Sequence, residues 1–513
     1  MRPTREENDP APIRDGRGRR LAAVAVSGAA LTLAFPEPDI APLAWLCLAP
    51  LLAALAGTGA KRGFLFGATF GLCFFGTLLY WVGIVGYLAW AVLVLLQALY
   101  LGVFGALWGA ASRRTGRAAS IVLPALLWVG VVEYLRAVTP VVGFTWGQLA
   151  QSQHDLPLVL RSAGWGGSWL VAFQVVVVNA LVAAAASAVL RRELRGAAVR
   201  GVAAVAVLLA AAPLPVPRAD GPPVDVAIVQ GNIPEHRPAS YEKDLVIIDN
   251  HVRLTRTVPP EADLILWPES SVGIDPARDR EVADALRTAA RDVGRPLIVG
   301  GTLSREDGDY QVMAYLVSAE GEIVDAYQKT HLVPFGEYVP ARAALDWLPA
   351  LEQVPLDAVP GEEPVVFDVA GGVVAPVISF EADFGSLVAR RIEVGGRLLV
   401  VLTNTSTWRH SWASAQHVAM SQVRAAETGV FVAHGALTGI SAFVAPSGEV
   451  IERSELWEPD VLMQTVRFAT QASVYALSGD WAALGALAGA AVWAAILLAR
   501  GSRRTTPLRR TPS

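Results

Sequence analysis

Between Gly63 and Ser112 the chain contains no Asp, Glu, Lys or Arg. A bilayer-spanning helix needs about 20 apolar residues, so this uncharged run has room for two spanning helices and the turn that joins them. Gly83 and Gly86 place that turn near Tyr80–Tyr87. Hydrophobic residues make up 53% of the 513 and charged residues only 17%, a balance too apolar for a water-soluble protein of this size. The remaining apolar runs predict about eight spans in all, at 21–36, 40–58, 63–82, 86–111, 118–135, 165–190, 199–216 and 480–499. Basic residues support the count. Arg2 to Arg20 precede the first span, and Lys61–Arg62, Arg113–Arg117, Arg191–Arg200 and Arg500–Arg510 follow the second, fourth, sixth and eighth. Cytoplasmic loops collect Lys and Arg, so both termini are expected in the cytoplasm and residues 217–479 outside it. Arg19-Arg20 before an apolar run also resembles a twin-arginine export signal. An uncleaved first span is preferred, because no small-residue cleavage site follows.

A formal net charge of −4 makes no case for nucleic acid as a partner. Cys47 and Cys73 both lie in apolar spans, so no disulfide framework is expected, and the extramembrane segment has no cysteine at all. Histidines are scattered without metal-ligand spacing, and neither a metal nor an organic cofactor is implied.

From 218 to 478 the pattern changes. Short apolar runs at Val224–Val229, Leu264–Trp267, Leu297–Gly300, Val373–Ile378 and Leu398–Thr403 read as strands. Helical patterns fall at Tyr241–Arg256, Arg280–Val293 and Ser414–Thr428, the last with a Ser cap and a Gly429 stop. Apolar strands between helices predict sheets covered by helices, an α/β layered fold. The expected organisation is a disordered cytoplasmic segment 1–19, a seven-helix membrane domain 20–217, an extracytoplasmic α/β domain 218–478, a final membrane helix 479–500 and a disordered tail 501–513.

Three segments of that domain carry chemistry. Leu264-Ile-Leu-Trp-Pro-Glu269 runs a strand into a carboxylate, which apolar surroundings can turn into a proton acceptor. Tyr327-Gln-Lys329 through Glu337-Tyr-Val-Pro340 is a shaped loop in which Lys329 can face a developing oxyanion and Glu337 can orient it. Val374-Ala-Pro-Val-Ile-Ser379-Phe-Glu381 ends a strand in a hydroxyl followed by an acid. Taken singly, each also reads as ordinary loop or turn chemistry.

Taken together, Glu, Lys and a strand-end nucleophile in this order resemble the nitrilase (carbon–nitrogen hydrolase) superfamily, whose triad is Glu-Lys-Cys. The membrane spans narrow the resemblance, as do Phe35-Pro-Glu-Pro-Asp39, Gly143-Phe-Thr-Trp146, Gln151-Ser-Gln153 and Val229-Gln-Gly-Asn-Ile-Pro234. Over about residues 20–500 the chain resembles the apolipoprotein N-acyltransferase family. The resemblance implies a nitrilase-like αββα sandwich outside the membrane. It implies acyl transfer from a phospholipid to the N-terminal S-diacylglyceryl-cysteine of a lipoprotein, through an acyl-enzyme. Glu269 would be the general base, Lys329 the stabiliser of the tetrahedral intermediate and position 379 the nucleophile. Glu337 and Glu381 match further functional acids of the family. Membrane lipid is an implied partner, and a polyprenol-phosphate mannose synthase is another by analogy.

The sequence departs from the family where it matters most. The family nucleophile is cysteine, and here it is Ser379. A thiol ionises near ~8.5, whereas a hydroxyl lies near water's ~15.7. At about 1.4 kcal/mol per unit, the alkoxide costs on the order of 5–10 kcal/mol more to form. His331 is near Lys329 in sequence, but no G-x-S-x-G elbow surrounds Ser379. Phe380 stands where the family usually has Tyr, Asn404-Thr-Ser-Thr-Trp408 lacks an expected acid, and 235–241 holds no tryptophan. Gln416-His417 and Arg424 to Glu427 are retained and read as structural. Two readings follow: a transferase using Ser379, or a non-catalytic homologue that binds lipid or lipoprotein, or scaffolds another enzyme. Arg136 and Arg161 are expected on outer loops, touching lipid phosphates or snorkelling at the interface.

Overall fold

The computed structural model describes residues 16–215, 218–234, 240–305, 308–345, 347, 351–352 and 354–502. Helices occupy each predicted span. Tyr87–Arg114, Ala119–Val138 and Ala163–Leu190 are long and apolar enough to cross a membrane, and Ala41–Leu55 and Trp481–Leu497 are shorter apolar helices. The first helix is Arg17–Thr32 and so begins before the predicted span. The predicted span 40–58 is cut into Ala41–Trp45 and Ala49–Leu55. Pro42 and Pro50 each sit in a first turn, where a missing N–H costs nothing, and each starts a new helix rather than continuing the old one. The side chain of Asn179, buried in Ala163–Leu190, accepts from the N–H of Leu48 at 2.9 Å and of Ala49 at 3.0 Å, satisfying the orphan donors of that broken start. The seventh segment is Leu194–Leu208, shorter at its far end than predicted because helix gives way to turns before Pro213.

Glycines bring the two helices of the uncharged run together. Gly63, Gly67 and Gly71 of Ala60–Leu78 lie against Gly105, Leu101 and Ala98 of Tyr87–Ala111, so closely that an added Cβ would strike the partner backbone. In lipid, with no water to expel, backbone proximity of this kind is what holds helices together.

Beyond the membrane helices the chain forms β1 Pro223–Gln230, β2 Leu264–Val272, β3 Leu297–Ser304, β4 Tyr310–Val317, β5 Ile323–Gln328, β6 Phe367–Val369, β7 Gly372–Ile378, β8 Leu398–Thr403, β9 Val432–Ala436, β10 Ala442–Val444, β11 Val450–Arg453 and β12 Asp460–Arg467. They build two six-stranded sheets, in the orders β12-β1-β2-β3-β4-β5 and β11-β10-β9-β8-β7-β6. Each has a parallel centre, β1-β2-β3 in one and β7-β8-β9 in the other, with antiparallel flanks. The sheets pack face to face. Val226, Ile228, Leu264 and Leu266 point into a core shared with Val374, Ile378, Val400 and Leu402. Their strand neighbours Ala227, Val229, Ile265 and Trp267 point outward beneath Tyr241–Thr255 and Arg280–Val293. That alternation buries both faces of β1 and β2 and gives an α-β-β-α sandwich.

The helix Ala413–Thr428 covers the outer face of the second sheet and is buried almost all round. A helix of that kind has two partners, and here the second is the membrane domain. Gln416 accepts from the indole of Trp146 at 2.7 Å and of Trp81 at 3.1 Å, and donates to the Pro36 carbonyl at 3.2 Å. His154 lies between Gln422 (2.8 Å) and Asp39 (2.9 Å). The Phe35–Asp39, Gly143–Trp146 and Gln151–Gln153 segments therefore meet at this junction. Its helix ends at Gly429 in the left-handed conformation as the sequence predicts, but its N-cap is Trp412, and Ser414 is turned inward to Thr405 at 2.7 Å. Arg136 is no outer-loop residue. It is fully buried and donates to the carbonyls of Val132 at 2.8 Å and Trp146 at 2.5 Å. Arg161 donates to the Ala212 carbonyl at 2.9 Å.

Candidate active site

Glu269 lies inside β2, where the strand is irregular. The β2–β3 register shifts between Trp267 and Val272, Pro268 has no N–H to give the ladder, and Ser270 has φ +63°. Gly300 makes the irregularity possible, since a side chain there would collide with Pro268 and with the Glu269 Cα at 2.6 Å. The bulge turns the Glu269 carboxylate toward the end of β5, where Lys329 is the first residue past the strand. Backbone bonds fix that residue on both sides: its N–H donates to Val312 at 2.9 Å and its carbonyl accepts from Gly361 at 2.8 Å.

The Lys329 side chain is fully buried. Its Nζ donates to Glu337 Oε1 at 2.5 Å and to Glu269 Oε1 at 3.2 Å. The other Glu337 oxygen accepts from the Val333 N–H at 2.8 Å, so Glu337 is locked to its own loop. Two carboxylates share one cation, and the shifts follow. Burial pushes the Glu269 carboxyl up from the usual glutamate range, Lys329 opposes the rise, and Glu337 adds to it. Burial disfavours the Lys329 ammonium, but Glu269 and Glu337 outweigh it and hold that group above its ordinary value.

Ser379 follows β7 at the start of the 3-10 turn Ser379–Asp383 and has φ +50°. A non-glycine residue in that region is uncommon and carries strain of order 1–3 kcal/mol. The Ser379 hydroxyl is among the groups that favour the ionised Glu269 carboxylate. The structure thus gathers Glu269, Lys329, Glu337 and Ser379 from both sheets. Glu381 and Phe380 border them. Glu381 is fully buried and fixes two segments at once: one oxygen accepts from the Ile378 N–H at 2.8 Å, and the other from Thr330 N–H at 2.8 Å, His331 N–H at 3.1 Å and the Tyr327 hydroxyl at 2.5 Å. Arg391 lies 3.3 Å away. Phe380 packs with Phe384 and with His331, ring centres 5.0 and 5.6 Å apart. His331 is thereby engaged with these rings, while Thr403 of the second sheet donates to Ser379 Oγ at 3.3 Å.

Sequence reading did not single out Thr403, Asp383, Tyr327 or Arg391. One signal was available: Ile378 pairs with Leu402 in parallel register, so the next residues along, Ser379 and Thr403, are neighbours. Residues 235–239, most of the stretch where the resemblance finds no tryptophan, lie outside the described residues. Among the described residues no group of three or more His, Cys, Asp or Glu side chains could hold a metal ion.

A sandwich of this build with this cluster at its strand ends defines a class. Residues 225–475 match the carbon–nitrogen hydrolase family, and residues 27–181 match the apolipoprotein N-acyltransferase N-terminal domain. The chain is 32% identical to an apolipoprotein N-acyltransferase of Geobacter metallireducens, over 95% of this chain and 97% of that one. It is 30% identical to those of Methylococcus capsulatus (90% and 93% covered) and Mycolicibacterium smegmatis (88% and 80%). It belongs to the apolipoprotein N-acyltransferase family and is a membrane protein.

Proposed function

We propose that the chain transfers an acyl chain from a phospholipid to the α-amino group of a lipoprotein's N-terminal S-diacylglyceryl-cysteine, using Ser379 as nucleophile. Family membership favours this over the lipid-binding or scaffolding alternative. The observation that carries the residue assignment is the buried Lys329 ammonium 3.2 Å from Glu269 Oε1, gathered with Ser379, which β7 delivers in a left-handed turn.

In the first half-reaction Glu269 takes the Ser379 proton as Oγ bonds to the ester carbonyl carbon. Lys329 Nζ faces the carbonyl oxygen as it becomes negative. The carbon–oxygen bond to glycerol then breaks, the leaving oxygen takes the proton from Glu269, and a lysophospholipid departs. In the second half-reaction the neutral amine attacks the Ser379 ester and gives its proton to Glu269. The bond to Oγ breaks, Ser379 recovers the proton, and an amide leaves. Glu337 and Glu381 position Lys329 and the Ser379 turn, and Phe380 lines the site.

A cavity of about 490 Å³ supports entry from lipid. It lies between the 137–143 segment, where a membrane helix ends, and the 330–338 loop, and includes Val138, Val141, His331, Tyr338 and Phe384. The Arg-rich alternate loops favour about eight crossings, both termini in the cytoplasm and residues 218–478 outside. A polyprenol-phosphate mannose synthase as partner enters on the resemblance alone.

The test uses purified protein in lipid, a phospholipid with a labelled acyl chain and a diacylglyceryl-cysteine peptide. Labelled N-acyl peptide that disappears with Ser379→Ala is the expected result. No peptide product, or product that survives Ser379→Ala, would contradict the proposal.

A further inference from the structure

Asp383, His417 and Thr403 are each all but fully buried, and no step above uses them. They come from three elements. Asp383 closes the 3-10 turn that Ser379 opens, His417 is on the helix Ala413–Thr428, and Thr403 is the last residue of β8. Thr403 Oγ1 donates to Ser379 Oγ at 3.3 Å. His417 Nδ1 is 3.2 Å from the same Thr403 Oγ1, and His417 Nε2 is 3.4 Å from Asp383 Oδ1. Trp146 stacks on the His417 ring at 6.0 Å, and His434 meets it edge-on at 5.1 Å.

A threonine hydroxyl has one proton to give. Thr403 gives it to Ser379, so the contact between Thr403 and His417 is made by the Nδ1–H. With a proton on Nδ1, the opposite nitrogen faces Asp383 Oδ1 at 3.4 Å. Neither Asp383 oxygen has a hydrogen bond within the usual distance among the described residues, which leaves His417 as its nearest partner. His417 and Thr403 thus form a row of donors that ends on the side chain read as the nucleophile, with Asp383 facing the far nitrogen of the ring.

We infer that Asp383, His417 and Thr403 are positioning residues that hold a hydrogen-bond donor on Ser379 Oγ and stabilise the negative charge that grows there as its proton passes to Glu269. The inference rests on the reading of Ser379 as nucleophile. It also accounts for how an oxygen can serve where relatives of the superfamily use sulfur. Charge on an alkoxide is concentrated and gains much from a charge-assisted hydrogen bond. A thiolate already forms near neutral pH and needs less help.

The experiment measures the single-turnover rate of acyl-enzyme formation from phospholipid, with Thr403→Val, Thr403→Ser and Asp383→Asn each placed beside Ser379 and beside Ser379→Cys. With serine, Thr403→Val is expected to slow acylation about 10²-fold, the loss typical of one donor aimed at a developing charge. Beside Ser379→Cys the same change is expected to cost less than about 3-fold, because the thiolate has less need of the donor. Thr403→Ser restores the rate, and Asp383→Asn, which keeps the shape, loses activity in the serine protein alone. Equal losses in both proteins would mark a merely structural role and overturn the inference, as would full activity of Thr403→Val with serine. If the unsubstituted protein forms no ester while Ser379→Cys forms a thioester, the reading of Ser379 as nucleophile falls, and the inference falls with it.

Discussion

Glu269 and Glu381 are both buried glutamates facing a buried cation, yet their carboxyls shift in opposite directions. Glu269 has Lys329, and it shares Lys329 with Glu337; burial wins and its proton affinity rises. Burial raises Glu381 as well. There Arg391, the Tyr327 hydroxyl and the N–H groups of Ile378, Thr330 and His331 overcome it and hold the carboxyl below its ordinary value. The difference lies in how completely each carboxylate is served with donors. A fully served acid is a strut, and an underserved one can accept a proton. Glu381 bonds the N–H groups of Thr330 and Ile378, the residues next to Lys329 and Ser379, so the strut ties down both segments that carry them.

The comparison is sharpest in the reaction. Glu269→Gln is expected to lower acylation by about 10²–10⁴-fold, the range for loss of a general base, while thermal unfolding moves little, because a neutral isostere relieves a crowded charge. Glu381→Ala reverses the pattern. It strands Arg391 and frees both the Lys329 loop and the Ser379 turn, so it is expected to cost about 3–5 kcal/mol of folding stability, read as a lowered unfolding midpoint in detergent. Comparable unfolding losses in the two variants would break the distinction.

Dependence on pH separates the pair again. Glu269 acts as a carboxylate, and its affinity for the proton is raised, so the rising limb of acylation should lie above the ordinary glutamate value of ~4.3. Lys329 is held protonated above its usual range, so loss of its charge does not end the plateau near neutrality. For stability the sign is opposite. Glu381 is depressed in the folded state, so its contribution is present above ~4.3 and fades as pH falls through its lower folded value. An acylation limb at or below ~4.3 would contradict the assignment of Glu269. The smallest effect belongs to an exposed acid–cation pair. Arg256 meets Asp292 at 2.7 Å with both side chains well exposed, and Arg256→Ala should change stability by less than ~1 kcal/mol.

Much of this was legible in the sequence because it was local. Leu398–Thr403 and Arg280–Val293 are apolar and helical runs whose bounds the structure reproduces. Lys329 and Ser379 stood out because each follows a strand, and Glu269 because it follows an apolar run and Pro268, although the strand runs on past it to Val272. What was not legible depends on neighbours remote in the chain. Spacing does not reveal that the Glu381 carboxylate reaches back to Tyr327 and Thr330, or that His417 is turned toward Thr403. Arg136 looked like an interfacial arginine because its sequence neighbours are apolar. Its burial comes from the Trp146 carbonyl, which a turn of chain after the helix brings back over it. The broken second span was foreshadowed by Pro42 and Pro50, whose effect depends on where each falls within a turn.

The central claim is that Ser379 carries the acyl chain. Purified protein would be incubated with a defined phospholipid and no acceptor, digested, and the Ser379 peptide weighed by mass spectrometry before and after a diacylglyceryl-cysteine peptide is added. An acyl ester on Ser379 that vanishes as the acceptor gains the same chain is the predicted result. An acceptor that gains the chain while Ser379 is never esterified would contradict it.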